Sequence, residues 1–74
     1  MVVAYVLALV ETGKEHQAAE EIMKLQYVEE VTVTYGTWGL VIKVGTETLN
    51  EMDVVITGIR NVQLIQQTET LVGL

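Results

Sequence analysis

Residues Val2 to Val10 read VVAYVLALV, a run in which both alternate sets are apolar: Val3, Tyr5, Leu7 and Leu9 on one side, Val2, Ala4, Val6 and Ala8 on the other. A run this rich in β-branched residues, closed by the turn-like Glu11-Thr12-Gly13, reads as a strand buried on both faces, and such strands are central in a sheet. Burying both faces is difficult for a chain of 74 residues, because a domain near this size removes only about 60% of its unfolded surface from water. Small domains generally need a staple or a partner. Cysteine is absent, so neither a disulfide nor a thiolate metal site can supply the stability, and the redox compartment stays open. Oligomerisation is the remaining device, and a hydrophobic content of 50% fits apolar surface shared between chains.

The rest of the chain supplies one further pattern after another, without proline, linker or low-complexity tract. Thr12 stands three residues before Glu15, a capping-box spacing, ahead of a helical pattern with Ala18, Ala19, Ile22, Met23 and Leu25 inward. Glu20 and Lys24 form a favourable i,i+4 pair on its outer face. Glu30 to Tyr35 alternates, with Val31, Val33 and Tyr35 on one face and Thr32 and Thr34 on the other. Leu40 to Val44 alternates as well, and Gly36-Thr37-Trp38-Gly39 between them makes a hairpin. A second capping-box spacing, Thr48 with Glu51, opens a helix with Leu49, Met52, Val55, Ile56 and Ile59 inward, closing near Arg60-Asn61. Val62 to Val72 reads as a last strand, bent where Gln66-Gln67 interrupts the apolar pattern. The order βαββαβ predicts one α+β domain over residues 1–74: a ferredoxin-like sandwich, with a four-stranded antiparallel sheet and two helices on one face. Two helices on one face leave the other uncovered. Face-to-face pairing of sheets is the simplest remedy.

The formal net charge of −6 argues against nucleic acid, since the four cations Lys14, Lys24, Lys43 and Arg60 are scattered and a phosphate-binding surface needs them clustered. The longest apolar run, Met1 to Val10, is too short to span a bilayer and lacks a basic leader region, so the chain reads as cytoplasmic and soluble. Serine is absent along with cysteine, which removes the common nucleophile arrangements. His16 is the single histidine and lies on the polar side of the first helix, so no metal site is expected. Glu20-Glu21 and Glu29-Glu30 are adjacent pairs whose side chains diverge on a helix or strand. No phosphate-cradling glycine motif is present, and no cofactor is expected.

Three features carry functional weight. Trp38 stands at the tip of a hairpin, a costly place for a large aromatic unless something covers it. Thr68 and Thr70 project from one face of the last strand, where two hydroxyls offer donors and acceptors to a zwitterion. Asp53, the one aspartate, lies early in the second helix, where the macrodipole favours an acid.

The whole chain resembles the effector-binding (RAM) domain of the Lrp/AsnC transcriptional regulators. The matching pieces are the apolar opening strand with Glu11-Thr12-Gly13-Lys14-Glu15, the hairpin Gly36-Thr37-Trp38-Gly39-Leu40, the segment Thr48-Leu49-Asn50-Glu51-Met52, and the closing Thr68-Glu69-Thr70-Leu71-Val72. The resemblance implies dimers formed through the sheets and assembled into a ring. It also implies an amino-acid effector bound between dimers, and an effector site at Gly36, Thr37, Trp38, Gly39, Thr68 and Thr70. The family hairpin usually carries an acid where this chain has Gly39. The family's helix-turn-helix is absent, which implies a standalone module that does not bind DNA and modulates full-length Lrp/AsnC relatives by mixing with them. Other readings of the same element order are an ACT-like amino-acid-binding module, a ligand-free structural oligomeriser, and a small dimeric α/β-barrel enzyme. The enzyme would have to draw on Tyr5, Tyr35, Lys43 and Trp38, so the chain is read as a non-enzyme.

Overall fold

The computed structural model describes residues Met1–Leu74 and contains six elements: β1 (Val2–Val10), α1 (Glu15–Met23), β2 (Val28–Val33), β3 (Leu40–Thr46), α2 (Leu49–Arg60) and β4 (Ile65–Val72). All strand pairings are antiparallel and the strands lie in the order β2-β3-β1-β4. This is the ferredoxin-like α+β fold, with both helices on one face. The strand that is apolar on both sides is paired on both edges, as its composition requires. Its even-numbered residues Ala4, Val6, Ala8 and Val10 join Leu40, Ile42 and Val44 of β3 in the core, and the helices close it with Ala18, Ile22, Met52, Val55 and Ile59.

The second helix forms as its sequence dictates. Thr48 accepts a hydrogen bond from the Glu51 amide at 3.1 Å, while the Glu51 carboxylate accepts from the Thr48 amide at 3.2 Å. Arg60 occupies the last turn, where a cation is favoured by the exposed carbonyls. The first helix departs from expectation. Gly13 turns the chain at a φ of +85°, which leaves Thr12 outside the helix; the N-cap is Lys14, without a side-chain cap bond. Lys24 pairs with Glu21 at 3.4 Å, not with Glu20. Met23 and Leu49, expected inward, are exposed; they are the last residue of α1 and the first of α2.

Two β-bulges account for the shifted strand boundaries. Val28 and Val31 both pack against the core, although residues three apart in a regular strand point to opposite faces. The register shift between Val28 and Glu30 leaves Glu29 without a partner and resolves the conflict. β2 therefore begins before Glu30 and ends at Val33, short of Tyr35. On β4, Leu9 pairs with Gln67 but Val10 pairs with Ile65, so Gln66 is the extra residue. The bend lies at the polar interruption of the pattern. Val62 is outside the strand because tight turns, with the Val62 amide bonded to the Ile59 carbonyl and the Ile65 amide to the Val62 carbonyl, carry the chain from α2 to β4.

Removing the cap hydroxyl with Thr48→Ala is expected to destabilise the domain by about 1 kcal/mol, the usual magnitude for a lost N-cap. A urea melt should show a lower midpoint with an unchanged slope.

Candidate functional site

The sheet face turned away from the helices carries the odd-numbered row of β1. Val3, Leu7 and Leu9 are half-buried there and Tyr5 is 42% exposed. Leu7 stands opposite Val41 on one side and Glu69 on the other, and Tyr5 opposite Lys43 and Leu71. The bulge in β2 places the Glu29 carboxylate over Gly45, where an added Cβ would collide with it. Glu29 also lies 3.9 Å from the Lys43 ammonium, and Glu30 is paired with Lys43 in the ladder. The two adjacent glutamates thus converge on one lysine, contrary to the divergence that a regular strand would give. This face combines an apolar stripe with a charged margin.

The hairpin between β2 and β3 is tied down at its base. The Thr34 hydroxyl donates to the Trp38 carbonyl at 2.7 Å, the Thr34 amide to the Gly39 carbonyl at 2.9 Å, and the Gly39 amide to the Ala8 carbonyl at 3.0 Å. Gly36 adopts a φ of +114°, a conformation that side chains rarely tolerate. Trp38 is half-buried, so its own domain already covers part of it; the aromatic at the tip that meets solvent is Tyr35. Above Gly39, the space that a side chain would enter borders Glu15, whose Cγ would lie 3.4 Å from a Cβ. A carboxylate side chain from α1 therefore occupies the surroundings of the glycine.

Thr68 and Thr70 pair with Ala8 and Val6, so both fall on the helix side of β4. They line a cleft of about 530 Å³ with Ile56 and Arg60 of α2 and with Ile65, Gln66 and Gln67. No hairpin residue reaches this cleft. β1 lies between β3 and β4, which sets the two groups on strands separated by about 10 Å, two strand spacings. Within one chain, Gly36, Thr37, Trp38 and Gly39 form one group and Thr68 and Thr70 another. Arg60 and Ile56 belong to the second group and carry no motif that would have marked them in the sequence. Asp53 is exposed on α2 and His16 on α1, both away from the cleft.

Among solved structures, this chain matches the crystal structure of FFRP-DM1 over the full length of both chains, with 37% identity and a TM-score of 0.93. The hypothetical protein PHS023 from Pyrococcus horikoshii matches all of this chain and 90% of its own, at 37% identity and a TM-score of 0.92. AsnC from E. coli matches 99% of this chain at 27% identity and a TM-score of 0.87. The chain belongs to the family of FFRP-DM1 and has the Lrp/AsnC-like fold. It spans about half the length of AsnC, and the Lrp/AsnC regulators it resembles support a regulatory domain. No family model matches the sequence, and no curated protein does at the sequence level. No helix of this Lrp/AsnC-like fold is long and apolar enough to cross a membrane.

The displaced titrations of the Lrp/AsnC-like domain lie at the other end of the sheet. Tyr27, held at a φ of +75°, donates its hydroxyl to the Glu51 carboxylate at 2.9 Å. That hydrogen bond raises the Tyr27 pKa and lowers that of Glu51, which also accepts from the Glu47 amide. Glu51's contribution to stability is present above its unfolded pKa and is lost as pH falls through its lowered folded value. Tyr27's is present below its unfolded pKa and is lost as pH rises through its raised one. Glu51→Gln should flatten the acid limb of a urea-midpoint profile, and Tyr27→Phe the alkaline limb. Parallel profiles for wild type and both variants would show the pair to be without weight.

Proposed function

We propose that this chain is a RAM-like regulatory domain over residues 1–74. It self-associates through the open face of its sheet and binds a small amino acid between the resulting dimers. It acts on transcription through full-length Lrp/AsnC relatives, not by touching DNA. The observation that carries this reading is the division of the polar site between two strands of one chain: the hairpin Gly36, Thr37, Trp38 and Gly39 on one side of β1, Thr68 and Thr70 on the other. A second copy can place one group against the other, which makes the ligand site a property of the assembly. Glu15, beside Gly39, offers a carboxylate where the family hairpin has its own acid, so an ammonium group has a partner at that end. The scattered cations and the charge of −6 support a protein partner over nucleic acid. The likeness to regulators supports a binding module and not an enzyme.

The half-buried row on β1 supports the self-association. Each square ångström of apolar surface removed from water stabilises by about 25 cal/mol, so covering three or four such side chains contributes several kcal/mol. Leu7→Glu places a second acid beside Glu69 in the middle of that row. It should give a folded monomer by light scattering, with unaltered far-UV dichroism; a Leu7→Glu protein as large as wild type would overturn sheet-to-sheet pairing.

A denaturant melt with each of the twenty amino acids at millimolar concentration tests the ligand. An effector at about 100 times its dissociation constant adds roughly 2.7 kcal/mol to native stability. Glu15→Gln should reduce that gain. An oligomer whose midpoint responds to none of the twenty is a structural oligomeriser, the reading that the missing acid at Gly39 favours.

A further inference from the structure

The chain has four cationic side chains, and their surroundings differ. Lys24 is paired with Glu21 and Lys43 with Glu29. Lys14 is exposed at the start of α1, lining none of the larger cavities. Arg60 has no ion pair and no side-chain hydrogen bond, and it is the one cation in the cleft beside Thr68 and Thr70. The remaining lining is Ile56, Ile65, Gln66 and Gln67, so no acid competes for the guanidinium inside the cleft. Asp53, seven residues earlier on α2, is two turns away, about 10 Å along the axis.

An unpaired guanidinium flanked by hydroxyl and carboxamide groups is suited to a carboxylate, because its planar fork can donate two parallel hydrogen bonds while the neighbours satisfy the remaining lone pairs. A single Arg at the end of a helix is also explained by the macrodipole. That explanation accounts for the charge at the C-terminus of α2. It does not account for two threonines and two glutamines gathered around the same group on another element. The bulge at Gln66 is what brings the threonines there, since it moves Thr68 and Thr70 to the helix side of β4.

We propose that Arg60 is the carboxylate anchor of the effector site: the ligand class is a small carboxylate, whose anionic end is held by Arg60 with Thr68 and Thr70. This assignment rests on the reading of the protein as an effector-binding domain and adds a residue to it. The ligand's other end then faces the hairpin and Glu15 of a neighbouring copy, so the two charges of a zwitterion are divided between chains.

The test uses the intact oligomer, the panel of twenty L-amino acids, and the primary amide of each amino acid that shifts the wild-type melt. The amide keeps the side chain and the ammonium group but removes the anion. Binding is expected to weaken at least about tenfold for the amide and by a similar factor for Arg60→Gln, the scale of a charged hydrogen bond. Arg60→Lys keeps the charge at the helix end but not the fork, and should bind more weakly than wild type and more tightly than Arg60→Gln. Each variant is judged by its ligand-induced shift against its own ligand-free melt, a comparison that a purely structural Arg60 would leave unaltered. Amide and acid binding alike, or Arg60→Gln responding as wild type does, would overturn the Arg60 assignment while leaving the effector site in place. A wild type that responds to no amino acid removes both.

Discussion

Two helices can cover only one face of a four-stranded sheet, and this chain places its most apolar strand where both faces matter. β1 is paired on both edges, contributes Ala4, Val6, Ala8 and Val10 to the core, and presents Val3, Tyr5, Leu7 and Leu9 to the opposite side. The core that results is thin. It consists of twelve buried residues, and no disulfide supports it. For a domain of this size the stability margin is a few kcal/mol, so the open row is as large a reservoir of hydrophobic stabilisation as any further packing within the chain could offer.

The parts of the fold that were legible in the sequence are those decided locally. The order of elements followed from period 2 and period 3.6 patterns, and the start of α2 from Thr48 and Glu51, because a capping box is closed within four residues. The start of α1 shows the same spacing, yet Thr12 caps nothing, since the left-handed Gly13 intervenes between the hydroxyl and the helix. The bulges were only half legible. Gln66-Gln67 broke an apolar run visibly, whereas Val28 and Val31 signal a bulge only once their common packing partner is known. A tryptophan at a hairpin tip is costly unless something covers it, and here Trp38 is half-buried while Tyr35 meets solvent.

Less of the candidate site could be read. Thr68 and Thr70 were recognisable as two hydroxyls on one face, but which face depended on the register of β4. Arg60 was recognisable only as a favourable charge at a helix end. Its neighbours come from a strand that follows after a turn, and no spacing rule links them. The spacing from Thr12 points Glu15 to a capping box, but no such cap forms and its side chain lies instead along Gly39. Each of these depends on a tertiary approach between elements, which periodicity does not encode.

The extra residue at Gln66 ties the two surfaces together. With strict alternation, Ile65 on the core side would bring Gln67, Glu69 and Leu71 to the helices and turn Thr68 and Thr70 outward onto the open face. With the bulge, Ile65 still meets Val10, while Thr68 and Thr70 fall beside α2 and Arg60; Glu69 and Leu71 complete the open face, and Gln67, level with Leu9, also borders the cleft. One inserted residue thus assigns the threonines to a polar cleft at the sheet edge and reserves the other side for an apolar stripe with a charged rim. The surface suited to pairing and the cleft suited to a ligand are kept on opposite sides of β4, and each is free to serve its purpose without covering the other.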